Sequence, residues 1–151
     1  MEFGWINVFG AVIVVLMLIP NIVYAIKNKG EKNLCANRFM NIVEQVGRYA
    51  CIALMCLPLL VWKFGFASVL DMMLYMVCNG LLLAAYWITF AFYMKRRSVR
   101  LALVLAVLPA CIFLLSGILL HHWLLAGFAV VFAIGHIYVT YKNAILINDR
   151  K

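Results

Sequence analysis

The sequence is short of charge. Only 12% of its 151 residues are Asp, Glu, Lys or Arg, while 68% are hydrophobic. A soluble domain is nearer half apolar and a quarter charged. A chain this short has no core large enough to hide so much apolar surface from water, so its solvent is lipid. It also lacks a Cys-x-x-Cys pair. Cys35, Cys51, Cys56, Cys78 and Cys111 stand apart, and four of them lie within apolar runs. That spacing gives no support to a thiol oxidoreductase or a zinc site. The thiols read as small apolar side chains, and neither a metal nor another cofactor is expected. Soluble domains, linkers and low-complexity tracts are missing too. Any chemistry is then confined to the helices and their edges.

What is there is a set of long apolar runs separated by short basic clusters. A net charge of +8 would suit nucleic acid, but its distribution does not, so no nucleic-acid partner is expected. Clusters between apolar runs are the pattern of membrane topology. The first run is not a secretory signal, because the chain opens Met1-Glu2-Phe3-Gly4-Trp5 without a positive stretch and no small-residue cleavage motif follows. A spanning helix needs about 20 apolar residues. Five such helices are expected, at about Trp5–Ile26, Asn41–Trp62, Val69–Met94, Val99–Leu120 and Trp123–Tyr141. The fold class is therefore all-α, a single polytopic transmembrane bundle.

Orientation follows from the basic residues. Lys27, Lys29, Lys32 and Arg38 follow the first helix, Lys95, Arg96, Arg97 and Arg100 lie between the third and fourth, and Lys142, Arg150 and Lys151 follow the fifth. With five helices these regions share one side, which the positive-inside rule makes cytoplasmic. Only Lys63 falls on the other side. The N-terminus is then outside and the C-terminus cytoplasmic. Trp5, Trp62 and Trp123 mark the outer interface, as belt tryptophans do.

Three stretches carry a resemblance: Ile19-Pro20-Asn21-Ile22-Val23-Tyr24-Ala25-Ile26-Lys27, Glu44-Gln45-Val46-Gly47-Arg48-Tyr49, and Gly135-His136-Ile137-Tyr138-Val139-Thr140-Tyr141-Lys142-Asn143-Ala144. Together the chain resembles a group of small, uncharacterised five-helix membrane proteins of Gram-positive bacteria. The resemblance implies a bacterial plasma membrane and no particular chemistry.

Polar groups in hydrocarbon are expensive and usually face the bundle interior. At a rise of about 1.5 Å per residue, Asn21, Thr89 and His136 each lie about 9 Å inside the lysine that closes their helix. Arg48 lies about as deep from the start of the second helix, which runs the other way. Glu44, four residues earlier, is placed to pair with it. Tyr24 shares the stripe of Asn21, while Tyr86, Thr89 and Tyr93 share one on the third helix and His136, Thr140 and Asn143 one on the fifth. The candidate ligand-binding set is thus Asn21, Tyr24, Glu44, Arg48, Thr89 and His136, a polar layer in the cytoplasmic half. Pro20 and Pro109 deprive the carbonyls of Leu16 and Leu105 of their helical partners. The kink at Pro20 opens either a cavity or a structural role for Asn21, and that at Pro109 is expected to be structural. The fourth helix offers only Ser116 and is expected at the lipid-facing periphery. Asn79 is expected to bond across helices where Gly80 permits close packing. Asp71, Lys63, His121 and His122 are grouped at the outer side, where a solvated loop is expected rather than a metal site.

Three functions fit these features. The first is a binding or transport module for a small polar or anionic ligand, with membrane lipid around it and a second copy beside it. The second is an accessory subunit packed on another membrane protein. The third is a lipid-modifying enzyme using Glu44 and His136 as acid–base groups. No nucleophile–base pair or cofactor loop supports the third, so no catalytic residue is assigned and the expectation leans away from an enzyme.

Overall fold

The computed structural model describes residues 6–29, 33–57, 59 and 65–148. Among them the protein is helical: α1 Val8–Lys27, α2 Arg38–Cys56, α3 Val69–Lys95, α4 Val99–Leu119 and α5 Trp123–Asn148. Four of these, α1, α3, α4 and α5, are long and apolar enough to cross a membrane. The protein is accordingly a multi-pass membrane protein. Helix α2 does not meet the same standard, because Arg38, Asn41, Glu44, Gln45 and Arg48 dilute its first half.

Local chemistry sets the helix starts. Asn7 accepts from the Gly10 N–H (3.0 Å) ahead of α1, Asn37 from the Met40 N–H (3.2 Å) ahead of α2, and Ser68 from the Asp71 N–H (3.0 Å) ahead of α3. Each satisfies a backbone donor that has no partner within its helix. The Asn37 cap starts α2 at Arg38 rather than Asn41. Its end also comes early, because Leu57 precedes Pro58 and adopts the extended geometry (φ −118°, ψ 140°) that a following proline enforces. The rest of the span expected through Trp62 lies, apart from Leu59, outside the described residues, as do Trp5, Lys32, Lys63, Arg150 and Lys151. Helix α5 instead runs seven residues past Tyr141. No Gly or Pro falls between Tyr141 and Asn148 to stop it there, and Asn143, Ala144 and Ile147 continue its inward face.

The helices form a closed ring in the order α1, α2, α5, α4, α3 and back to α1, with α4 also reaching α2. Glycines set the closest approaches. A Cβ on Gly135 would lie 2.7 Å from the Glu44 backbone nitrogen, and one on Gly47 would lie 2.8 Å from the Phe132 Cα, so α2 and α5 meet backbone to backbone. Gly117 does the same between α4 and α5, against Ala126. Without a hydrophobic drive between helices in lipid, such small residues permit the packing contacts that hold a bundle together. Helix α1 is packed more lightly. At its start, the Asn7 backbone N–H donates to the Cys56 carbonyl (2.8 Å) and its side chain to the Met55 carbonyl (3.2 Å), tying it to the end of α2.

Three expectations are corrected here. Helix α4 is not peripheral: half of its most apolar 18-residue stretch is buried, against 17% for that of α3. Its Ala102, Ala106, Ala110, Ser116 and Gly117 are small enough to sit between neighbours, and a shortage of polar groups says nothing about which side faces lipid. Asn79 does bond across helices, donating to the Ser116 hydroxyl (3.2 Å), yet Gly80 has nothing within 4 Å of its absent Cβ and is no close-packing point. Finally, His122 is fully buried rather than part of a solvated loop, and only His121 is exposed. The His122 Nδ1 accepts from the Leu125 N–H (3.1 Å) and so caps α5.

Candidate functional site

A cavity of about 480 Å³ opens at the basic end of the ring, between α1, α3, α4 and α5. That is within the size range of small-molecule sites. Its floor is aromatic, made by Tyr86, Phe90 and Tyr93 of α3 and Tyr24 of α1. Positions four and seven beyond Tyr86 return to its helical face, which is why these three share one wall. Tyr24 meets Phe90 edge on, with centroids 6.0 Å apart. The α4 wall is Ala102, Leu105 and Ala106, and the side chain at Leu105 is the one whose carbonyl loses its helical partner to Pro109.

Polar groups converge on this space from several directions. Asn21 donates through Nδ2 to the Met17 carbonyl (3.0 Å) and to the Tyr86 hydroxyl (2.8 Å), linking α1 to α3. His136 and Thr140 project from α5. At the mouth, Asn143 accepts from the Leu34 N–H (2.8 Å), which draws the residues after α1 against the end of α5 and brings Asn33 to the rim. Asn28 donates to the Tyr24 carbonyl (3.0 Å) and accepts from Arg97, whose guanidinium lies 5.7 Å from the Tyr24 ring centroid.

Behind His136 lies a buried charge. Glu44 is 5% exposed and accepts on Oε1 from Arg48, one helical turn on, and from the His136 Nδ1 (2.8 Å). A carboxylate paired with a guanidinium is an acceptor, so the imidazole proton at this bond sits on Nδ1. The ring is further held by stacking on Phe132, with centroids 4.8 Å apart and planes inclined by 15°. The close approach at Gly135 is what brings the Glu44 backbone near enough for this bond. With Nδ1 committed to Glu44, Nε2 is the nitrogen left for the cavity. Among the described residues, the cavity wall carries the cation Lys29 and no carboxylate.

The six residues expected to form the site divide into three groups. Asn21, Tyr24 and His136 are on the wall. Glu44 and Arg48 stand behind it, and Arg48 is spent on Glu44 rather than presented to the cavity. Thr89 is half-buried and does not reach the wall, because three residues beyond Tyr86 falls to the side of the aromatic face. Phe90, Asn33 and Lys29 were not legible as site residues. Phe90 is one apolar residue among many, and the other two depend on how the segment after α1 folds back. The donor for the Leu16 carbonyl also escaped the sequence reading: it is Trp87 Nε1 of α3 (3.1 Å), not Asn21. Comparison with protein-family models, curated proteins and solved structures finds no match to the chain.

Proposed function

We propose that this protein spans the membrane five times, with its N-terminus outside and its C-terminus in the cytoplasm, and binds or transports a small polar or anionic ligand through the cavity at its basic end. The supporting observation is the cavity itself, about 480 Å³, on which polar side chains from α1, α3 and α5 converge beside a basic rim. A structural polar cluster would be expected to close on itself, as Asn79 and Ser116 do. Here His136 and Thr140 line the cavity wall instead. On this reading α2 is the fifth span, its Glu44 and Arg48 neutralising each other against α5. The basic end faces the cytoplasm by the positive-inside rule, and the resemblance noted above makes the membrane a bacterial plasma membrane.

Native mass spectrometry of protein extracted gently from its membrane tests the reading. A small molecule retained by the wild type and lost in Asn21→Ala is the expected result. A bare chain, or one held only to a second protein, would sink it in favour of an accessory role.

A further inference from the structure

We propose that the ligand of this cavity is a small aromatic acid and that it binds together with one proton, taken up by His136. The inference rests on the reading of the cavity as a ligand site and adds the ligand's class and its coupling.

The aromatic part follows from the floor. Tyr86, Phe90, Tyr93 and Tyr24 offer ring faces and edges that suit a flat apolar body. The acid follows from the polar side, where wall groups are amides, a hydroxyl, an imidazole and the ammonium of Lys29, with no carboxylate among the described residues.

The proton follows from the charges. An anion leaving water for a site deep in a bundle needs a compensating cation. Arg48 is the deep cation, but Glu44 already neutralises it. Lys29 stands at the exposed rim. His136 is the remaining deep group able to become positive, and it is built to do so. Its Nδ1 is held at 2.8 Å on the Glu44 carboxylate, while Nε2 is left to take a proton and donate it in a hydrogen bond to the ligand. Glu44–Arg48–His136 is neutral overall when the ring is neutral, and carries one positive charge when Nε2 is protonated. That charge matches one carboxylate. Other titratable groups also face the cavity. Helix α1 brings Tyr24 and Lys29, α3 brings Tyr86 and Tyr93, and α4 brings no titratable group. Arg97, at the mouth, is already engaged with Asn28 and the Tyr24 ring.

Benzoate and its neutral isostere benzamide are the probes, titrated by calorimetry into the full chain in lipid nanodiscs between about pH 5.5 and 8, the range in which histidines titrate. Benzoate affinity is expected to fall about tenfold per pH unit at the alkaline end, since only the protonated ring pairs with it. Runs in buffers of different protonation enthalpy should give close to one proton taken up per benzoate. Benzamide affinity should not change with pH. In His136→Gln, benzoate should bind weakly and without pH dependence while benzamide binding persists, which also reports that the variant is folded. If His136→Gln does not fold, the wild-type pH slope and proton count decide alone. Benzoate binding that ignores pH, or a slope that survives in His136→Gln, overturns the proton coupling and leaves the cavity reading standing. Failure of both probes to bind overturns the aromatic-acid class, while the cavity reading stands or falls on native mass spectrometry.

Discussion

At the residue scale, proline in a membrane helix leaves a carbonyl that only a specific neighbour can satisfy, because lipid offers no hydrogen bond. Here the neighbour of the Leu16 carbonyl is Trp87, whose indole reaches across from α3. Trp87→Phe keeps an aromatic body and removes the donor, and should lower stability by about 1 kcal/mol, the net worth of a typical hydrogen bond. Pro20→Ala restores the backbone N–H at that turn, so in that background the same change should cost little. Denaturant unfolding of the four combinations measures the coupling, and an equal cost in both backgrounds would show that the indole does not serve the freed carbonyl. His122 gives a second residue-scale expectation. Burial pushes its imidazole below its ordinary 6.5, and its Nδ1 can cap α5 only while unprotonated. The unfolded chain therefore binds the proton more readily, so this contribution is full above about pH 6.5 and lost as pH falls below it. Melting temperature should drop on acidification from about pH 7.5 to 5.5, at a cost of about 1 kcal/mol if the cap is lost. His122→Asn, which can cap without titrating, should flatten the profile; an unchanged profile would assign the effect to another group.

At the scale of elements, glycines of one composition play opposite parts. Gly135→Ala drives a methyl into the α2 backbone at Glu44, which has no flexible end to give way, and should cost about 1–3 kcal/mol. Gly80→Ala meets open space and should gain about 0.5–1 kcal/mol from helix propensity. Thermal unfolding in detergent ranks the two, and a stabilising Gly135→Ala would mean that α2 and α5 are not in backbone contact. Nothing in the sequence separates these glycines, because the difference lies in which helix stands opposite. The same ignorance of neighbours misplaced α4. Its apolar character was plain, whereas the value of its alanines as contact points emerges only once α3 and α5 flank it. Polar residues were more legible. Asn21, Tyr24 and His136 were drawn to one cavity because each is costly in lipid, and the Glu44–Arg48 pair followed from a spacing of four. Thr89 failed because a hydroxyl can satisfy itself on its own helix and so need not face inward.

At the scale of the whole molecule, an all-helical bundle was legible from composition, since hydrocarbon admits only helices or closed barrels. Ring order was not, because it depends on contacts between segments far apart in sequence. One of these has a consequence for how the chain is made. Glu44 and His136 are 92 positions apart, and α5 leaves the ribosome after the other four described helices. Until then α2 carries its buried carboxylate without the wall that shelters it, and its own apolar content does not commit it to the bilayer. On the five-span reading proposed above, insertion of α2 is thus a late step that waits on α5. A chain truncated after Leu120 should leave residues around Tyr49 open to a water-soluble maleimide through an introduced cysteine, and the full chain should protect them. Equal protection in both would show that α2 enters the bilayer unaided. On that reading the arrival of α5, rather than the emergence of α2 itself, decides when the carboxylate of Glu44 is sheltered.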